Sequence, residues 1–101
     1  MALAEEFDEG MLNIYRRALT EAHYNASRFM QMLNDHRGVE TARLLIRAST
    51  VSVGYTALYL RGKLSLTVEA VIYDNPKWHA LFSPEKLRIC ESRLRDYKYI
   101  L

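Results

Sequence analysis

The sequence is poor in the residues that mark disulfide-rich, membrane-spanning or phosphate-binding proteins. Its 101 residues include one cysteine, two prolines and four glycines. No apolar run approaches the roughly 18 residues of a membrane span. The single cysteine, Cys90, excludes an internal disulfide framework and is compatible with a reducing compartment. The acidic start lacks the basic flank and apolar core of a signal peptide, so we expect a cytoplasmic protein with no membrane partner.

Motifs that bind metals, cofactors or phosphates are also missing. The three histidines show neither an HxxxH nor an HExxH spacing, and Cys90 has no CxxC partner. The glycines are isolated, which excludes a glycine-rich phosphate loop. Cys90 lies on the predicted inward face of a helix, where cysteine behaves as a small apolar residue. We therefore predict no metal, no cofactor, no small-molecule substrate and no catalytic residue.

What the chain does contain is the composition of an ordinary globular protein. Hydrophobic residues make up 50% and charged residues 26% of the sequence, a balance typical of a folded domain rather than a disordered tail. The length predicts one domain over residues 1–101 with a single core.

A helical repeat of apolar residues dominates the first third of the chain. It contains no proline and only one early glycine, Gly10, so the pattern predicts one long helix from Glu6 to Leu33. Its apolar positions alternate between spacings of three and four, which places them on one face: Leu12, Tyr15, Leu19, Ala22, Ala26, Phe29 and Leu33.

The predicted length of this helix suggests self-association. A helix over 6–33 would be about 42 Å long, whereas a compact domain of this size has a radius of gyration near 13 Å. We expect its first turns to project, so that Phe7, Met11 and Ile14 pair with a second copy in a homodimer. The alternative is a helix that breaks at Gly10 and leaves a monomer.

The rest of the chain predicts four shorter helices and one helical turn. Gly38 provides a left-handed helix stop, and Ser52, Ser65 and Ser83 are the predicted caps. The helices fall at about 39–48, 53–60, 66–73 and from Pro84 onward, with the turn at 77–82. A β-strand is the alternative for 66–73. The fold class is therefore all-α, a compact bundle of about five helices with a long N-terminal helix.

Two features of the second half point to the core. Trp78 and Phe82 are predicted to be a buried aromatic pair between the fourth helix and the last. Glu69 interrupts an apolar septet, so it either faces water or forms a buried pair, for which Arg47 and Arg61 are the first candidates.

The middle of the chain is basic. Residues 37–63 contain five basic residues against one acidic residue, which predicts a continuous positive face able to contact an anion or a nucleic acid. The stretch 49–54 is longer than the turn of a helix-turn-helix motif, and residues 53–60 lack the side chains that usually contact bases. Both observations argue against that motif. The five basic residues are Arg37, Arg43, Arg47, Arg61 and Lys63.

Three stretches carry a resemblance to other proteins: the C-terminal pattern W-x-x-LF-x-x-E-x-L…RL-x-x-Y-x-Y, "YNASRFMQMLNDHRGVETARLLI" and "FDEGMLNIYRRAL". In these stretches the chain resembles a family of short uncharacterised bacterial proteins. The resemblance implies a bacterial, cytoplasmic, stand-alone domain and carries no activity or site residue to this chain.

Three functions follow from the residues. The first is a non-catalytic protein-interaction or accessory domain that self-associates, because no reactive groups converge. The second is weak nucleic-acid binding through the basic segment 37–63. The third, an enzyme, would require a pocket that joins Glu69 and either His23 or His79 with the arginines.

Overall fold

A computed structural model describes residues 2–101 of the chain. Within these residues there is no β-strand, so the predicted all-α bundle is confirmed and the strand alternative for 66–73 is wrong. Short 3-10 helices at Leu64–Leu66 and Pro76–Leu81 flank the fourth α-helix. The five α-helices are α1 (Leu3–Glu21), α2 (Ser27–Arg47), α3 (Val53–Leu60), α4 (Val68–Asp74) and α5 (Pro84–Asp96).

The long N-terminal helix is present, but it ends at Glu21 and does not continue to Leu33. The chain turns just beyond α1, where His23 adopts a left-handed backbone with φ 52°. Gly10 does not break α1, because the helix passes through it. The predicted single helix is therefore two helices, and α2 folds back along α1.

The first turns of α1 are buried and do not project. Phe7 and Met11 are fully buried, and Ile14 is 6% exposed. The ring of Trp78 packs edge-on against Phe7 with 5.2 Å between centroids, and α2 packs against α1 close to Phe7. The prediction of a dimer interface at these three α1 residues is therefore wrong.

The helical backbone of α2 is interrupted at Arg37, and the Asp8 side chain of α1 binds α2 at this point. Arg37, and not the predicted Gly38, is left-handed here, with φ 66° and ψ −176°, a region that is almost restricted to glycine. Asp8 Oδ2 accepts hydrogen bonds from the Arg37 guanidinium at 2.7 and 3.1 Å. Its Oδ1 accepts from the Gly38 amide at 2.6 Å. These bonds fix the middle of α2 against the start of α1.

Gly38 is expected to be intolerant of even a methyl group. A Cβ there would lie 2.7 Å from Asp8 Oδ1 and 3.2 Å from both Asp8 Cα and a ring carbon of Phe7. Gly38→Ala is therefore expected to lower the free energy of unfolding by about 1–3 kcal/mol, measured by urea denaturation. Gly10→Ala is the control, because its Cβ would meet nothing closer than 3.8 Å and alanine favours a helix interior. Equal effects of the two variants would contradict this account of the helix contact.

Side-chain caps define the remaining helix starts. Ser52 accepts from the Tyr55 amide at α3, and Ser83 accepts from the Lys86 amide at α5, as predicted. Thr67, and not Ser65, caps α4, because Leu64–Leu66 forms a 3-10 turn before it.

The main core lies between α1, α2, α4, α5 and the Pro76–Leu81 turn. Trp78 and Phe82 are both 7% exposed, so the predicted burial of this pair is confirmed. Phe7 joins them, since its ring packs edge-on against Phe82 with 5.5 Å between centroids. Cys90 is 1% exposed in the same cluster. Among residues 2–101 no helix combines the length and apolar character that crossing a membrane requires.

Candidate functional site

A cleft of about 650 Å³ opens between α1, the start of α2, α3 and the start of α4. This volume falls in the range of small-ligand pockets, which run from about 300 to 1,000 Å³ and are mostly apolar. Aliphatic and aromatic side chains supply most of its lining, among them Ile14, Phe29, Met32, Leu58, Leu66 and Val68.

The cleft has a buried floor and an exposed rim. Ala18 of α1 and Leu66 are 2% and 1% exposed, so the floor belongs to the folded core. Val53 and Arg28, at the starts of α3 and α2, are exposed and lie at the rim. The connection 48–52 between α2 and α3 contributes much of one wall.

Arg93 of α5 donates hydrogen bonds to backbone carbonyls of that wall and of the end of α2. Its Nη1 donates to the Leu45 carbonyl at 3.1 Å, and its Nη2 donates to the Ala48 carbonyl at 2.6 Å and the Thr50 carbonyl at 3.5 Å. The last carbonyls of a helix have no partner within the helix. The guanidinium therefore satisfies the end of α2 and fixes the connection that follows it.

Glu69, at the first turn of α4, lies at the bottom of the cleft and shares the same guanidinium. Its side chain is 3% exposed, and Oε2 accepts from Arg93 Nη1 at 3.1 Å. Burial raises the pKa of the Glu69 carboxyl, and Arg93 opposes this shift. Arg47 and Arg61, the partners favoured by the sequence, form no ion pair with Glu69 in the described part of the chain.

Tyr55 of α3 completes the floor. Its side chain is 2% exposed, and its hydroxyl donates to the carbonyl of Arg93 at 3.0 Å. Burial is the main reason why the pKa of Tyr55 lies well above its ordinary value. The hydroxyl is therefore a hydrogen-bond donor at neutral pH and is already engaged.

Two residues of the predicted positive face, Arg37 and Lys63, lie beside acidic residues near opposite ends of α1. Arg37 pairs with Asp8 at 2.7 Å, and Lys63 Nζ is 4.0 Å from Glu21. Asp8 and Glu21 are thirteen residues apart in sequence, which corresponds to about 20 Å along a helix. Arg37 and Lys63 therefore do not converge.

The other three basic residues are spread over two elements. Arg43 donates to the Leu81 carbonyl at 3.3 Å. Arg61 donates to the Ala57 carbonyl at 3.0 Å, and Arg47 is exposed at the end of α2. None of the five predicted contact residues lines the cleft.

The nucleophile and base candidates also lie outside the cleft. Burial raises the pKa of the Cys90 thiol to about 12, so the reactive thiolate is scarce at neutral pH. His79 Nε2 lies 3.0 Å from the Ile72 carbonyl, and His23 is exposed in the turn after α1. Neither histidine lines the cleft with Glu69. In the part of the chain that the structure describes, no three His, Cys, Asp or Glu residues group as metal ligands.

Sequence reasoning missed both Arg93 and the cleft. Arg93 precedes Leu94 and follows Cys90 by three residues, which places it beside the inward stripe of α5. That position was the available signal for a buried arginine.

No protein-family model, no curated protein and no solved structure matches this chain. The resemblance to short bacterial proteins therefore stays a prediction.

Proposed function

We propose that the chain is a non-catalytic interaction domain that binds an apolar group in the cleft between α1, α2, α3 and α4. The observation that carries this proposal is the cleft itself, about 650 Å³ with a mostly apolar lining. A concave apolar site with a few polar groups is the usual form of a ligand pocket. The floor is part of the core, so the site exists before a ligand arrives.

The state of the polar groups supports binding over catalysis. A general acid or base must reach the proton that it transfers. Glu69 is held by Arg93 at 3.1 Å, and the Tyr55 hydroxyl donates to a backbone carbonyl. Both groups act within the fold, where they hold the floor and one wall of the cleft.

N-phenyl-1-naphthylamine tests the proposal, because this neutral probe fluoresces strongly in apolar surroundings. We expect saturable binding of one probe per chain. Met32→Gln, which puts a polar amide in the lining, is expected to weaken binding about tenfold, since loss of a large apolar contact costs on the order of 1–2 kcal/mol.

Leu19→Gln is the matched control, because Leu19 is 44% exposed and does not line the cleft. It is expected to leave probe binding unchanged. Absence of saturable binding would overturn the proposal, and so would an equal loss in both variants. Far-ultraviolet circular dichroism shows whether each variant keeps its helices.

Self-association remains part of the proposal, with a different surface. Val53 and Leu60 are 83% and 75% exposed. They lie seven residues apart on α3, and therefore on one face of that helix. This face replaces the first turns of α1 as the surface that a second copy would cover.

Weak nucleic-acid binding by the basic segment 37–63 stays the alternative proposal, and salt-sensitive retention on an anionic column would support it. A cytoplasmic location in a bacterium is likewise proposed, from the sequence alone.

A further inference from the structure

The charges that line the cleft do not balance. Only two of its lining residues are charged, Arg28 at the rim and Glu69 at the bottom. Arg93 already compensates Glu69 at 3.1 Å. Arg28 is exposed, and its side chain has neither an ion pair nor a hydrogen bond with any residue of the described part. The positive charge of Arg28 is therefore uncompensated within the described residues and is available to an anionic ligand.

Tyr24 provides a hydrogen-bond donor on the cleft lining. A Cβ at Gly54, another lining residue, would lie 3.7 Å from the Tyr24 hydroxyl oxygen. Within residues 2–101 this hydroxyl has no hydrogen-bond partner. The Arg61 guanidinium lies 5.1 Å from the centroid of the Tyr24 ring and brings a second positive charge close to it.

The acidic residues that lie closest to Arg28 in sequence are Glu21 and Asp35, each seven positions away, and neither forms an ion pair with it. Glu21 Oε2 accepts from Arg17 Nε at 2.6 Å, and its Oε1 lies 4.0 Å from Lys63 Nζ. Ala26, which precedes α2 and lines the cleft, provides no side-chain cap for the helix. The positive end of the α2 dipole therefore adds to the potential around Arg28.

We propose that the occupant of the cleft is an amphiphilic monocarboxylate, with an aliphatic chain against the apolar floor and a carboxylate at Arg28 and Tyr24. This inference rests on the proposed function and specifies its ligand. A guanidinium binds a carboxylate through short, charge-assisted hydrogen bonds. A cationic head group has no uncompensated acidic partner among the lining residues.

Displacement of N-phenyl-1-naphthylamine by three ten-carbon amphiphiles tests the head group at constant chain length. Decanoate is expected to displace the probe at about one fifth of the concentration that 1-decanol requires, because an ion pair with an exposed arginine adds up to about this much affinity. Decyltrimethylammonium is expected to require the highest concentration of the three.

Arg28→Gln is expected to remove most of the advantage of decanoate over 1-decanol and to leave the affinity for 1-decanol unchanged. Arg88→Gln is the matched control, because Arg88 is an exposed arginine of α5 outside the cleft and its loss changes the net charge equally. Equal effects of the two variants would overturn the role of Arg28.

The two proposals fail in different ways. If decanoate and 1-decanol displace the probe equally, or if the ammonium amphiphile is best, the carboxylate inference is wrong while the cleft remains a binding site. If the probe and all three amphiphiles fail to bind, the proposed function is wrong as well.

Discussion

Replacing Arg93 with methionine is expected to lower the free energy of unfolding by about 3–5 kcal/mol at neutral pH, because it leaves a buried carboxylate without its partner. Arg93 is 11% exposed and binds Glu69, which is 3% exposed, at 3.1 Å. The change also removes the donors to the Leu45 and Ala48 carbonyls at the end of α2. Urea denaturation measures the loss.

The loss of unfolding free energy in Arg93→Met is expected to depend on pH. Burial raises the pKa of Glu69 in the folded chain, and loss of the guanidinium raises it further. The folded state then favours the neutral carboxyl, whose stabilising contribution is present below the ordinary carboxyl pKa and is lost as the pH rises through the folded value. The deficit should therefore be smaller at about pH 5 than at about pH 7.

Two further variants separate the buried charge from general damage. Arg95→Met removes an exposed ion pair with Glu91 on the same helix and should cost at most about 1 kcal/mol. Adding Glu69→Leu to Arg93→Met removes the unpaired carboxylate and should recover part of the loss at neutral pH. Equal effects of Arg93→Met and Arg95→Met, with no recovery in the double variant, would show that the pair does not stabilise the fold.

Truncation of Phe7 to alanine is expected to cost about 3–5 kcal/mol, the typical loss for a large buried aromatic side chain. Phe7 is fully buried and packs edge-on against Trp78 and Phe82, with ring centroids 5.2 and 5.5 Å away. It joins α1 to the segment before α5. Trp78→Ala should be similarly severe, because Trp78 is 7% exposed.

Leu19→Ala is the control for this prediction, since Leu19 is 44% exposed and surface substitutions usually change stability by less than about 0.5 kcal/mol. Trp78 fluorescence gives a second measurement. Blue-shifted emission that iodide quenches poorly is expected in the native protein. Emission typical of an exposed indole would contradict the burial of this cluster.

The sequence predicts the helices better than it predicts where the first one ends. The apolar pattern runs without interruption from Leu12 to Leu33, so periodicity alone extends the helix through the turn. The residue that breaks it, His23, is neither glycine nor proline, yet it has φ 52°. Packing of α2 back onto α1 selects this conformation, and such tertiary contacts are absent from a local pattern. The same contacts bury Phe7, which the long-helix prediction places in a dimer interface.

The candidate site was accessible to sequence reasoning only in part. Glu69 is conspicuous because it interrupts an apolar run within a few residues. Arg93 lies 24 positions away, and no local pattern joins the two. The cleft combines segments from Ile14 to Glu69, so it exists only after α1, α2 and α3 have packed. Arg28, an ordinary exposed arginine in the sequence, becomes distinctive because of its place on that cleft.

An amide-resolved NMR titration of the uniformly ¹⁵N-labelled chain with decanoate tests most directly whether the cleft is the binding site. We predict saturable shifts that cluster on the lining residues, including the amides of Arg28, Met32 and Val53. A second, smaller pocket is lined by Asp8, Leu12, Leu33, Asn34, Arg37 and Gly38, and the amide signals of these residues should not shift. Saturable shifts centred on that second pocket, or no saturable shifts at all, would contradict the account.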